Sequence, residues 1–181
     1  MIFKNNTKKI VLDIEKLAKI TEDLRNITGH KIVATIGTWD MLHIGHVRYL
    51  NKAKSHGDIL VVGTDTDSAV KRYKGPLRPI IPQDERIEML TYQECVDLVT
   101  LIDDVDEKGK WGCDLIKKIR PDVFIAVEDS YPEEQLKEIR MYCEELIVLP
   151  RQAENTSTSK TIQDTVKKTL ITVLAELEKR Q

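Results

Sequence analysis

The sequence predicts an α/β fold: a Rossmann-like α/β/α sandwich with a five-stranded parallel sheet, flanked by an N-terminal and a C-terminal helix. Three observations carry this. Five short runs rich in branched apolar residues recur along the chain, amphipathic helical patterns separate them, and the runs are nearly continuous in apolar character. Strands covered by helices on both faces have that character, and right-handed crossovers then close the sandwich.

Residues 11–28, "VLDIEKLAKITEDLRNIT", place Leu12, Ile14, Leu17, Ile20 and Leu24 at helical spacing and read as a helix packed on the domain. "KIVATIG" (31–37) is the first strand. The helix after it opens near Ile44 or Gly45 and runs through "HVRYLNKAKSHG" (46–57), with Val47, Leu50 and Ala53 on one face. "DILVVGT" (58–64) is the second strand. Pro82 suits the start of a helix over 82–94, whose apolar face is Ile87 and Leu90. "VDLVTLI" (96–102), "PDVFIAV" (121–127) and "ELIVLP" (145–150) complete the strands, with helices over 113–120 and 132–145 between them. Residues 161–180 form a terminal helix whose stripe of Ile162, Val166, Leu170, Val173 and Leu177 suits a homodimer as well as packing within the chain. No internal repeat or low-complexity linker appears, so one domain is expected, with a 1–30 extension, a core at 31–162 and the terminal helix.

Composition narrows the function classes. A chain of 181 residues is long enough to bury a real core. A net charge of -2 creates no global field for nucleic acid or an anionic membrane, so neither partner is expected, although a few local cations suffice for a small anionic substrate. No apolar leader and no bilayer-length segment is seen. Cys95, Cys113 and Cys143 are odd in number and widely spaced, as reduced thiols are, and form neither a disulfide framework nor a metal knuckle. A cytoplasmic setting is expected.

In an open parallel sheet, ligands sit beyond the carboxyl ends of the strands. The segment "GTWDMLHIGH" (37–46) occupies that edge after the first strand. Gly37 permits close backbone approach, Thr38 and Trp39 offer backbone N–H groups, and the helix start near Gly45 favours an anion. His43 and His46 flank that start, where a positive helix end keeps imidazoles neutral. Three readings of the pair stand at this point: buried structural rings, a metal face with Asp40, or a phosphate-handling pair. The metal reading needs Asp40 inside the helix and further ligands, which no His or Cys cluster supplies, so no metal ligand is assigned.

Four stretches in order go further. "HIGH" (43–46) is preceded by "GTWD". "AKSHGDILVVGTDTD" (53–67), "KRYKGPLRPIIPQDER" (71–86) and "STSKTI" (157–162) follow. Together they resemble the HxGH nucleotidyltransferase superfamily in its cytidylyltransferase-like branch, over at least residues 31–162. The run from "VLDIEKLAKI" to "VDLVTLIDD", with its "KGPLRPI" loop, is most similar to the adenylyltransferase domain of ADP-heptose synthesis. The ending "IVLPRQAENTSTSKTI" is similar to glycerol-3-phosphate cytidylyltransferases.

The resemblance implies attack of an acceptor phosphate oxygen on the α-phosphorus of ATP or CTP, with pyrophosphate leaving. It implies catalytic roles for His43, His46 and Lys74, the last on a Gly- and Pro-punctuated loop with Lys71 as a second cation. It places Gly37, Thr38, Trp39, Gly45, Lys71, Arg86, Asp129, Ser157, Thr158 and Ser159 around the nucleotide, with Asp40 and Arg151 as further phosphate or acceptor contacts. Plainer roles stand beside these: an ion pair of Arg86 with Asp84 or Glu88, capping by the hydroxyls, and loop ordering by Asp40. Magnesium is expected to accompany the triphosphate. One stretch departs from these relatives: in "IAVEDSYPEE" (125–134) Asp129 keeps the acid, but Ala126 replaces a lysine, and Val127 and Glu128 replace small residues. The expected function is adenylyl transfer to a heptose 1-phosphate. The alternatives are a CTP-dependent glycerol-3-phosphate enzyme, an FAD synthetase-like enzyme and a non-catalytic nucleotide binder.

Overall fold

The computed structural model describes residues 6–107 and 110–179. After a short 3-10 turn at Asn6–Lys9 come α1 (Ile14–Thr28), β1 (Ile32–Gly37), α2 (Ile44–Lys54), β2 (Ile59–Asp65), α3 (Asp67–Lys74), α4 (Gln83–Thr91) and β3 (Leu98–Ile102). Then follow α5 (Asp114–Ile119), β4 (Val123–Val127), α6 (Glu133–Ile139), β5 (Glu145–Leu149) and α7 (Thr158–Glu178). The five strands form one sheet in the order β3-β2-β1-β4-β5, and every pairing is parallel.

The period-2 geometry of a strand splits the apolar run of β1 between two cores. Val33 faces a cluster with Leu50 of α2, Leu90 of α4, Leu60, Val62, Val99 and Ile125. Ile32, Ala34 and Ile36 face the other, with Leu17 of α1, Leu115, Ile116 and Ile119 of α5, Ile139 of α6 and Phe124. The N-terminal helix does pack on the domain: Asp13 caps it, Gly29 ends it at φ 69, and Arg25 pairs with Asp122 before β4. Gly63 lies so close to Ile102 and Leu115 that a Cβ there would collide with their side chains.

The expected elements are present, with ends moved by a few residues and the 132–145 helix stopping at Ile139. One element is a correction. Lys71 and Lys74 do not lie on a loop; they occupy the last turn of α3, which Thr66 caps and Gly75 ends at φ 93. Residue 180 of the expected terminal helix, and residues 1–5 of the expected extension, lie outside the described residues. No helix among the described residues is long and apolar enough to cross a membrane.

Candidate active site

The carboxyl end of β1, at the centre of the sheet, opens into a turn with Trp39 at φ 54 and Met41 at φ 50. Trp39 turns its ring inward, where Nε1 donates to the Gly63 carbonyl at 2.9 Å. That buried ring meets His46 edge-on with centroids 5.5 Å apart. His43 is the N-cap of α2: its Nδ1 accepts the Gly45 N–H at 3.1 Å, while His46 Nδ1 accepts the His43 N–H at 3.4 Å. The rings stack at 3.8 Å. Because both Nδ1 atoms accept, each neutral ring carries its proton on Nε2, which stays available as a donor. Burial lowers the His43 pKa. Burial, then the His43 ring and the Lys74 ammonium, push His46 from 6.5 down to about 3. Gly45 fits beneath: a Cβ there would meet the His43 ring and the Ala153 side chain at 3.0 Å.

These groups line a cavity of about 590 Å³. One wall is the β1–α2 turn, with Gly37, Thr38, Trp39, Asp40, His43, Gly45 and His46. Lys74 and Arg78 form a second wall, and a third runs from Arg151 through Ser157, Thr158, Ser159 and Lys160 at the start of α7. The cavity thus has cations and a helix N-terminus in its lining, a combination that suits an anionic ligand. Lys74 has an exposed stem, but its ammonium turns inward to donate to Thr38 Oγ1 at 2.8 Å. Burial of that end, then Arg78, lowers its pKa against the opposing pull of Asp65 and Asp40. Thr38 Oγ1 also meets Tyr73 Oη at 2.6 Å, and the tyrosine donates to Asp65. Burial raises the Asp65 carboxyl to about 6.

A second chamber of about 500 Å³ shares Ile36, Gly37, Thr38, Lys74 and Ser130 with the first. Its other walls are Tyr73, Lys110, Trp111, Tyr131, Pro132 and Gln135. Trp111 sits 5.9 Å from the Tyr73 ring and 5.8 Å from Tyr131, and its carbonyl accepts from Gln135. The stretch that departs from the resembled families therefore reaches both chambers, through Val127 and Ser130 into the first and through Ser130, Tyr131 and Pro132 into the second.

Three residues expected at the nucleotide line neither chamber: Arg86, Lys71 and Asp129. Arg86 is 1% exposed. Its Nε donates to the Ile81 carbonyl, Nη1 to the Thr38 carbonyl and Thr64 Oγ1, and Nη2 to the Asp65 carbonyl and the Asp67 carboxylate. It ties the ends of β1 and β2 to α3 and α4, and its ion pair is with Asp67 rather than Asp84 or Glu88. Lys71 is exposed on α3, and Asp129 is exposed at φ 63 after β4. Asp40 lines the cavity yet its carboxylate is committed: it accepts from the Ile80 and Ile81 N–H groups and pairs with Arg78 at 2.7 Å. Burial alone would raise its pKa, but the Ile81 and Ile80 N–H groups and Arg78 outweigh that and hold it below 3.8. Ser157 caps α7 through the Lys160 N–H, and Thr158 donates to the Asp40 carbonyl at 2.7 Å. Arg78, Tyr73 and Trp111 escape the sequence reading. For Arg78 a signal exists, an arginine within "KGPLRPI"; Tyr73 and Trp111 carry none.

The donor set does not build a cage for magnesium. Among the described residues no group of three His, Cys, Asp or Glu is placed to hold an ion, and both Asp40 oxygens are used within the protein.

Residues 34–171 match the cytidylyltransferase-like family. The bifunctional protein HldE of Nitratiruptor sp. is 39% identical over 145 residues, which cover 77% of this chain and 30% of that protein. HldE of Geobacter metallireducens is 41% identical over 123 residues, covering 68% of this chain and 24% of that one. The chain thus spans under a third of the length of these curated relatives. A crystal structure of the lipopolysaccharide core biosynthesis protein from Thermoplasma volcanium superposes with a TM-score of 0.58 at 26% identity, covering 68% of this chain and 98% of that one. Pantoate-beta-alanine ligase from Francisella tularensis, at 17% identity and a TM-score of 0.54, shares the fold over 78% of this chain and 66% of its own. The family match spans the sheet from β1 into α7 and the HldE relatives cover over two thirds of the chain: it belongs to the cytidylyltransferase-like family of nucleotidyltransferases.

Proposed function

We propose that the protein transfers the adenylyl group of ATP to a sugar phosphate of the heptose 1-phosphate type. The observation that carries this reading is the meeting of two chambers at Thr38 and Lys74, one of them lined by the neutral histidine pair. In-line displacement needs the acceptor on one side of the α-phosphorus and the leaving group on the other. The triphosphate occupies the first chamber, against the N-termini of α2 and α7, and the acceptor enters from the second. An acceptor phosphate oxygen forms its bond to the α-phosphorus as the bond to the bridging oxygen breaks, and pyrophosphate leaves with that electron pair. His43 and His46 donate from Nε2 to phosphate oxygens as charge builds on them. Lys74 supplies a positive charge where the chambers join. Magnesium enters this reading as the triphosphate's own counter-ion, held by phosphate oxygens.

The heptose assignment rests on the likeness of the N-terminal helix and the "KGPLRPI" loop to ADP-heptose synthesis, and on the HldE relatives. A second reading, CTP with glycerol 3-phosphate, is favoured by the Leu149-Pro150-Arg151 run into the start of α7. A pyrophosphate-release assay with magnesium separates them, crossing ATP and CTP with heptose 1-phosphate, glycerol 3-phosphate and flavin mononucleotide. Release with ATP and heptose 1-phosphate is expected, reduced about 10²–10³-fold by His46→Ala, the usual cost of losing one preorganised donor. Release only with CTP and glycerol 3-phosphate would assign the second reading. Triphosphate binding without release from any pair would make the protein a nucleotide binder.

A further inference from the structure

The helix α7 runs 21 residues, yet none of them is buried. Nine of those residues are Thr, Val or Ile, which lower helix propensity. A helix of this composition gains its stability from packing of an apolar face rather than from the chain itself. The face is present. Val166, Leu170, Val173 and Leu177 follow one another at spacings of four, three and four, and each is between 45% and 57% exposed. Leu174 widens the same stripe.

We propose that α7 pairs with α7 of a second copy, antiparallel about a two-fold axis between residues 171 and 172. That register sets Val166 against the partner's Leu177 and Leu170 against the partner's Val173, so the four apolar positions make complete layers with their own copies. An isologous contact requires this self-complementarity. Charge selects the direction. At 100° per residue, Lys167 and Glu178 lie only about 20° apart around the helix, on one edge of the stripe and at opposite ends of it. In the antiparallel register Lys167 of each copy comes within about 3 Å, along the axis, of standing opposite Glu178 of the other, and symmetry makes the pair twice. A parallel pair would instead turn that edge toward the partner's opposite edge, where Thr165 and Thr169 stand level with Lys167, so that Lys167 meets no acid there. The contact also bears on the cavity, because Ser157, Thr158 and Ser159 at the start of α7 form one of its walls.

Sedimentation velocity on the whole protein at micromolar concentration tests this. Twice the protomer mass of 20.8 kDa is expected. The variant Leu170→Lys/Val173→Lys should sediment as a monomer, and because neither side chain is in the core its circular dichroism from the sheet domain should be unchanged. Lys167→Glu should weaken the dimer about tenfold, since each pair occurs twice, and adding Glu178→Lys should restore it. A wild-type monomer would overturn the proposal, including one that binds anionic phospholipid vesicles. So would a dimer indifferent to the Leu170/Val173 change, or a charge swap that fails to restore association.

Discussion

His46 is neutral because of where it sits, and that placement has a stability consequence of definite sign. Its pKa falls from 6.5 to about 3, so between those values the unfolded chain binds a proton at this residue and the folded chain does not. Stability therefore drops as pH falls through that window, and above it the group contributes no slope. Asp65 acts in the opposite sense. Burial raises its carboxyl from 3.8 to about 6, so its contribution diminishes as pH rises between those values. The two partly cancel in the wild type, which would hide both in a simple acid titration. His46→Gln removes only the first. Relative to wild type, this variant is expected to gain stability as pH is lowered from about 7 to about 5, read from the urea midpoint at each pH. A difference that stays constant over the range would mean that His46 titrates as an ordinary histidine in the folded protein. The neutral pair was legible in the sequence from two histidines at a helix start, but its main cause was not. Burial beside Trp39, with the His43 ring and the Lys74 ammonium close by, is a tertiary fact.

Among the elements, α3 and the segment after it show why spacing alone fell short. Residues 67–74 are mostly polar and run straight into Gly75 and Pro76, which overshadow their helical pattern. Only Ala69 and Val70 are buried from it, too few to give an apolar period. What fixes the connection from α3 to α4 is Asp40, reaching across from the β1–α2 turn. Its carboxylate takes the Ile80 and Ile81 N–H groups and the Arg78 guanidinium, and it is 1% exposed while the arginine side chain is 14% exposed. Removing one partner of such a buried pair costs about 3–5 kcal/mol. Asp40→Asn keeps one acceptor oxygen and belongs near the lower end, about 3 kcal/mol, visible as a fall in the urea midpoint at unchanged slope. Activity should fall with it, because Arg78 and Lys74 stand on the segment that Asp40 holds. If turnover collapsed while the midpoint stayed at its wild-type value, Asp40 would be a ligand contact rather than a clamp, the other of the roles its sequence position leaves open.

At the scale of the whole molecule, the sheet order explains which parts of the site could be read from the chain. The strands run outward from β1 through β2 to β3, then resume at β4 on the other side, so a crevice opens beyond the carboxyl ends of β1 and β4. Apart from Lys74, Arg78, Val127 and Ser130, the first chamber draws on the contiguous segments 36–49 and 151–160, each with a local pattern legible in the chain. The second draws single residues from α3, the approach to α5 and the start of α6, and no local pattern connects Tyr73, Trp111, Tyr131 and Gln135. Their meeting exists only in the fold. Division of labour between the chambers then predicts a kinetic asymmetry. Trp111 lies in the second chamber alone, held by a bridge to Val105 and by Gln135 on its carbonyl. Trp111→Ala should raise KM for the phosphorylated acceptor about tenfold, the effect of about 1.4 kcal/mol of lost ring contact, and leave KM for the triphosphate within about twofold. Trp111→Phe, which keeps an aromatic face, should recover most of the loss. Steady-state kinetics with each substrate varied in turn decides it. A rise confined to the triphosphate would exchange the roles of the chambers, placing the nucleotide against Tyr73 and Trp111 and the acceptor against the histidines. The in-line geometry would then have to run from the opposite side of Lys74.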